Sequence, residues 1–436
     1  MSQVRATRRL AGPAPGPGKF TLLAEPPLVA RGGQPEDYGP SWVQISMLNG
    51  HQLHALDAKG QGMLIGVLDS GFDRVDELAA FDDLRARGGI VLTADLAGHD
   101  GDVYDDHWHG RSVLSCMAGN VPGQLLGTAP SADYALVRTE EVAYELVIEE
   151  DNWVAGAELL DSLGCDVLNT SLGYTTFDAP EQDHGYADMD GATARISVAA
   201  GIAAQKGMIP VCSAGNSGSS PWYRIGAPAD ALDILAVGAV DAQGDAAGFS
   251  SRGPSYDGRV KPDVMAMGQG AIGLSVQGDT IAPLNGTSFS SPILAGLVAC
   301  LWQLHPQRTA HDIMDAVRRS AHLWYMPNDS MGYGIPDFMQ AHAWLTLTTS
   351  VDELSGASPV ALPNPFDDQL SVTGLPADGA WDLALLDASG REVRSARAVA
   401  GGGMLRWTGL GGLAAGVYHL RVARGEESFV RRVMKP

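Results

Sequence analysis

Four short stretches of the 436-residue chain carry side chains suited to acyl transfer, and they lie far apart in sequence. Asp69 follows the apolar run Met63–Leu68 and precedes Ser70-Gly71. His109 precedes Gly110, and Asn216 sits within Ser213-Ala214-Gly215-Asn216-Ser217-Gly218. Ser288 lies in Leu284-Asn285-Gly286-Thr287-Ser288-Phe289-Ser290-Ser291-Pro292. A serine hydroxyl becomes a strong nucleophile when an imidazole takes its proton and a carboxylate orients that imidazole through its other nitrogen. An asparagine amide can donate to the oxyanion that then develops. The residue types for acyl transfer are therefore all present.

The elements around them must supply the convergence. Asn285-Gly286 marks a tight turn, and Pro292 opens the apolar run Ile293–Trp302, so the spacing predicts a buried helix with Pro292 in its first turn. Ser288 then sits at the helix N-terminus, where free N–H groups and the helix dipole favour negative charge. Val113, Leu114 and Met117 follow His109 at helical spacing, which places the imidazole at the start of a second buried helix. Asp69 and Ser213–Asn216 each follow an apolar run, and in open α/β sheets functional groups collect at the carboxyl ends of strands. Taken singly, each piece has a plainer reading. Ser288 can be a cap, Asp69 a turn residue and Asn216 an Asx turn. Asp100, Asp102, Asp105, Asp106, His107 and His109 can also be read as ligands of a metal-dependent hydrolase.

Length alone favours two or three units. Short apolar runs at 63–68, 135–137, 166–169, 208–212 and 234–237, separated by helix-length amphipathic segments such as 145–163, predict an α/β body with a mainly parallel sheet covered on both faces. Residues 1–37, rich in Pro, Gly and Arg, read as a flexible extension. The body spans 38–347, residues 348–358 read as a linker, and 359–436 as a small all-β sandwich of short alternating strands with Gly-rich turns. The net charge of −22 is uneven: +3 over residues 1–36, +1 over 357–436 and −26 between them. An acidic body argues against nucleic acid as partner and is compatible with cationic substrates or bound cations, and a solvated surface explains it equally well. No run of about 18 apolar residues marks a transmembrane segment. The four cysteines lie in or beside apolar runs and read as buried free thiols.

Asp69-Ser70-Gly71, His109-Gly110, Ala214-Gly215-Asn216 and Gly286–Pro292 occur in that order, and together they resemble the subtilisin-like serine proteases, the subtilase family. Asn169–Gly173, Phe249–Pro254, Lys261–Val264 and Gly332-Tyr333-Gly334 fit the same family. The resemblance covers about residues 38–347. It implies a subtilisin-like three-layer α/β/α fold and a serine endopeptidase acting on protein or peptide substrates. Ser288 is then the nucleophile, His109 the base and then the acid, and Asp69 the residue that orients it, while Asn216 and the Ser288 N–H form the oxyanion hole. An extended substrate is expected against Ser171-Leu172-Gly173 and Ser213-Ala214-Gly215. Arg111 departs from the family, which usually has Thr after His-Gly. No cofactor is expected. Structural calcium is common in the family, but no ligand set stands at convincing spacing.

The tail carries a second resemblance. Leu362–Phe366, Leu386–Val393, Leu413–Val422 and the basic end Arg431–Lys435 look like the C-terminal sorting domain of type IX secretion, which implies the secretion machinery as a partner and a secreted or surface-attached monomer. Residues 1–36 contain no signal-peptide pattern, so this reading expects a precursor that begins upstream. A non-catalytic surface-binding protein built on a protease fold is the alternative from another class.

Overall fold

The structure is a computed structural model. It describes residues 38–278 and 280–348, then 360–435 with breaks at 363–364, 374, 376–378, 388–390, 402–403 and 425–426. The extension 1–37 and the linker from residue 349 onward lie outside the described residues. Two compact units divide between Leu345 and Thr346.

The first unit is built on seven strands: β1 (Leu64–Asp69), β2 (Ile90–Asp95), β3 (Asp133–Arg138), β4 (Val167–Thr170), β5 (Ile209–Ser213), β6 (Leu235–Val240) and β7 (Val264–Met267). Their order across the sheet is β2-β3-β1-β4-β5-β6-β7, and neighbours run parallel. The order reverses between β1 and β4. Crossovers on either side of such a switch point leave in opposite directions, which opens a crevice at the carboxyl ends of the strands.

Both faces of the sheet are buried, and the side-chain period of two sorts the residues. Ile65, Val67, Tyr134, Leu136, Ile209 and Val211 join one core with α1 (Trp108–Ala118) and α4 (Thr287–Leu304). Leu68, Ala135, Val137, Leu168 and Cys212 join the other with α2 (Ile148–Leu163) and α3 (Arg195–Gln205). This is the subtilisin-like α/β/α arrangement. A hairpin of β8 (Gln269–Leu274) and β9 (Ile281–Asn285) leads directly into α4.

Helix α4 is long and apolar enough to cross a membrane by length and composition, yet 83% of it is buried inside the fold. Each fully buried Ile293, Leu294, Leu297, Val298 or Leu301 contributes about 1.5–3 kcal/mol, so the helix is anchored as the core of this unit. Cys116, Cys165, Cys212 and Cys300 are free and buried. Burial pushes the Cys116, Cys165 and Cys212 thiols up to about 12 and Cys300 higher, which makes them inert.

The second unit holds two antiparallel sheets. One runs β10 (Val360–Leu362), β11 (Gln369–Thr373), β14 (Met404–Thr408). The other runs β13 (Glu392–Ala400), β12 (Gly379–Leu386), β15 (Gly416–Arg424), β16 (Glu427–Lys435). Leu370, Val372, Leu405 and Trp407 of the first share a core with Trp381, Leu383, Leu385, Leu420, Val422 and Val433 of the second. Two sheets enclosing one core make a small β-sandwich.

Candidate active site

Asp69 closes β1 at the switch point and is fully buried. Its Oδ1 accepts from His109 Nδ1 at 2.7 Å and from the Ser70 N–H at 2.8 Å. A buried carboxylate needs such donors, because an isolated charge there is costly. The bond to Nδ1 fixes the orientation of the His109 ring. The contact depends on glycine: a Cβ on Gly110 would lie 2.4 Å from the Gly71 carbonyl oxygen and 2.9 Å from Asp69 Cβ. Only a residue without a side chain lets the first turn of α1 approach the end of β1 this closely.

Ser288 is the second residue of α4, 9% exposed, and its N–H is one of the first four that a helix leaves without an internal acceptor. Phe289, next to it, has its ring centroid 6.0 Å from that of His109, which brings the start of α4 beside the imidazole-bearing end of α1. Ser288 Oγ donates to the Ser171 carbonyl at 3.2 Å. Gly286, which caps the helix, has φ +150°, a conformation that side chains resist.

Pro292 corrects the sequence reading of this helix. It lies in the second turn, not the first, because α4 already begins at Thr287. Proline has no N–H, so it cannot bond the carbonyl four residues back, which is that of Ser288. Ser171 Oγ takes that place, donating to Ser288 O at 2.9 Å. Asn169 Nδ2 in turn donates to Ser171 Oγ at 3.1 Å, and Ser291 Oγ donates to Asn169 Oδ1 at 2.9 Å. A buried chain of polar groups thus ties α4 to the end of β4.

Asn216, exposed just beyond β5, has its amide orientation set by Thr287. Its Oδ1 accepts from Thr287 N at 2.9 Å and from Thr287 Oγ1 at 3.0 Å, so Nδ2 is the end left to donate elsewhere. Ser171, Leu172, Gly173, Ser213, Ala214, Gly215, Asn216 and Ser288 all line one cavity of about 240 Å³.

Three further residues carry no assigned role in the sequence reading. Ser70 Oγ lies 3.2 Å from Asp69 Oδ1 and 2.8 Å from His107 Nδ1, a second layer behind the carboxylate. Glu140, fully buried, lines the same cavity and accepts from the Tyr174 hydroxyl. A signal for Glu140 existed in its place two residues beyond the carboxyl end of β3, where charged groups are candidates by position alone. Arg111, the departure from the family pattern, points away from the site. It pairs with Asp73 and donates to the carbonyls of Ser275 and Val276, binding α1 to the turn after β8.

The metal reading of 100–109 finds no convergence. His109 is committed to Asp69 and His107 to Ser70. Asp106 pairs with Arg138 at 3.1 Å, and Asp100 and Asp102 accept from backbone N–H groups of their own loop. Among the described residues, the carboxylates whose oxygens lie within 4.8 Å of one another are those of Glu140, Glu145 and Glu149.

Comparison with known proteins adds to this geometry. Residues 60–342 match the model of the subtilase family (peptidase S8). Subtilisin E of Bacillus subtilis (strain 168) is 30% identical over 283 residues, covering 64% of this chain and 65% of its own. The serine protease AprX of the same organism is 28% identical over 301 residues, 61% of this chain and 62% of its own. The chain thus spans about 65% of the length of the first curated relatives it matches. In fold it is similar to the crystal structure of MycP1 without its propeptide (TM-score 0.54, 22% identity, 69% of this chain and 96% of that one). It is also similar to the prenylagaramide maturation protease PagA (TM-score 0.53, 21% identity, 68% and 98%).

Proposed function

The chain belongs to the subtilase family, and from that membership we propose that it is a serine endopeptidase whose reacting groups are Asp69, His109 and Ser288. The observation that carries this reading is the 2.7 Å bond from His109 Nδ1 to a buried carboxylate, with Phe289, the residue after Ser288, 6.0 Å ring to ring from that imidazole.

A peptide lies extended between Ser171–Gly173 and Ser213–Gly215, its backbone paired to theirs. Ser288 Oγ gives up the Ser171 carbonyl and passes its proton to His109 Nε2 as it attacks the scissile carbonyl carbon. The imidazolium is stabilised by Asp69, which remains ionised. The new oxyanion accepts from Asn216 Nδ2 and the Ser288 N–H. His109 then protonates the leaving amine, and water, deprotonated by the same imidazole, releases the acyl group.

Labelling with a fluorophosphonate tests this directly. The wild type should be labelled at Ser288 and should hydrolyse casein, and Ser288→Ala should do neither. A folded wild type that resists the reagent would refute the reading, whereas hydrolysis lost in Ser288→Ala eliminates the non-catalytic alternative.

We also propose that residues 359–436 direct export by type IX secretion, with the protein secreted or held at the surface. The support is the order of the strand and turn motifs from Leu362 to Lys435. Deleting 359–436 in a host with that machinery should retain the protein inside the outer membrane, and export of the truncated chain would contradict the proposal.

A further inference from the structure

We propose that His184 is a positioning residue for substrate: its ion pair with Glu150 holds the loop Tyr174–His184 in place as part of the wall of the cavity that Ser288 lines. This rests on the serine endopeptidase reading and adds to that site a control of substrate binding. The loop begins directly after Ser171-Leu172-Gly173, and its residue Thr175 lines the cavity of about 240 Å³ together with them and with Ser288. Thr175 stands close against Gly226, another lining residue. A Cβ on Gly226 would lie 3.1 Å from Thr175 Cγ2 and 3.1 Å from the Tyr174 carbonyl oxygen. Tyr174 and Ala227 exchange backbone bonds of 2.8 and 3.2 Å. With so little clearance, a small displacement of Thr175 alters the shape of the cavity.

From Thr175 the chain leaves the cavity and returns. The His184 N–H donates to the Thr175 carbonyl at 2.9 Å, and the Phe177 N–H donates to Asp183 Oδ1 at 2.7 Å, so two bonds close the loop. Three rings are packed within it. Tyr174, whose hydroxyl donates to Glu140 in the cavity lining, stacks on Phe177 with centroids 5.8 Å apart. Phe177 meets the His184 imidazole in a T-shaped contact, centroids 5.4 Å apart. The far end of this series is the ion pair. His184 Nε2 donates to Glu150 Oε1, and Glu150 is fully buried in the first turn of α2. Its Oε2 accepts from the Ile196 N–H at 3.3 Å, in the first turn of α3. One carboxylate thereby fixes the loop to two helices.

A buried carboxylate is stable only with a cation or donors around it, and taking the charge from its partner leaves it at a cost. The charged groups acting on the His184 ring are Glu150 from α2, Asp188 from the turn Tyr186–Asp188 and Asp230 from the segment before β6. The bond to Glu150 raises the imidazole above its ordinary value, burial opposes this, and the three negative charges raise it further. The pair is therefore complete below that raised value and loses its positive charge as pH climbs through it. A neutral ring still donates through Nε2 but no longer balances the buried carboxylate. The loop then loosens from α2, and Thr175 loses its place in the wall.

The test is to measure KM and kcat separately against pH, using the full chain and a peptide that the wild type cleaves. As pH rises through the His184 transition, wild-type KM should increase about three- to tenfold while kcat holds on its plateau, the signature of lost uniform binding. His184→Gln, neutral but still able to donate, should show the raised KM at every pH and no longer respond to it. Glu150→Gln should behave alike, and the double variant should be no worse than either single one, because the two side chains act as a unit. A merely structural pair would change stability and leave the KM profile in place. The wild-type profile decides the matter even if the variants fail to fold: a KM that stays constant above pH 6.5 while kcat is on its plateau would overturn the proposal. So would a pH-dependent KM that persists in folded His184→Gln. Absence of fluorophosphonate labelling in the wild type would instead overturn the serine endopeptidase reading beneath it.

Discussion

Individual side chains at this site differ in what they hold, and their substitutions should separate accordingly. On the proposed mechanism, Asn216 Nδ2 donates to a charge that appears during reaction. Asn216→Ala should therefore lower kcat by about 10²–10³ with little change in KM, a magnitude carried over from the type case of this family. Ser70 never reaches substrate. Its Oγ sits between Asp69 Oδ1 and His107 Nδ1, while its N–H also donates to that carboxylate. Ser70→Ala keeps the N–H and removes the hydroxyl, so the loss should be milder, about ten- to a hundredfold in kcat/KM, as one hydrogen bond to a charged group is worth about 1.5–3 kcal/mol. A merely structural Ser70 would leave the pH profile in place. A positioning role should shift the acid limb of kcat/KM against pH, because the carboxylate that stabilises the imidazolium has lost a donor.

At the scale of elements, the short helix Gly50–Ala55 shows how packing sets a titration. His54 is buried, with Nδ1 bonded to the Tyr38 hydroxyl at 2.9 Å and Nε2 to the Thr128 carbonyl at 2.9 Å. The carbonyl accepts only from an N–H, so Nε2 carries the proton, Nδ1 accepts, and the neutral ring is fully satisfied. Burial lowers its value from the ordinary 6.5 to about 4, against the Thr128 bond, which raises it. The folded chain therefore resists a proton that the unfolded chain takes up. The stability this provides is complete above about pH 6.5 and drains away as pH falls to about 4, a total of about 3 kcal/mol. Urea unfolding of the wild type against His54→Gln should show this difference over that window. Parallel curves for the two proteins would mean that His54 does not sense pH.

For the molecule as a whole, charge distribution matters more than net charge. The span 37–356 carries −26, and Glu140 lines the cavity that Ser288 also lines. Such a field should steer cationic peptides toward the proposed site, and salt should screen it as the Debye length drops from about 30 Å at 0.01 M to about 8 Å at 0.15 M. Raising salt over that range should lower kcat/KM for an Arg-containing peptide several-fold and leave a neutral peptide almost unaffected. Equal salt responses for both peptides would show that the acidic surface is only solvated.

Much of this protein was legible without coordinates, and for a physical reason. Local patterns report local demands: apolar runs ending in Asp69 and Ser213 announce strand ends, and Gly110 and Gly286 sit where a backbone must approach closely or turn. Their order along the chain was enough to indicate the family and the α/β sheet. Helix boundaries were less legible, since Pro292 can follow a first turn or interrupt a second. What decided between them was Ser171, 117 residues away, whose hydroxyl satisfies the carbonyl that proline leaves unbonded. Glu140 was legible only by its place after β3, for the same reason. In sequence it is one acid among several after β3, and only the packing of the strands around the switch point places it in the lining of a cavity that Ser288 also lines. Sequence by itself determined which groups exist and which segments carry them. Tertiary structure decided which of those groups share one cavity, because contact between distant residues is a property of packing, not of neighbours along the chain.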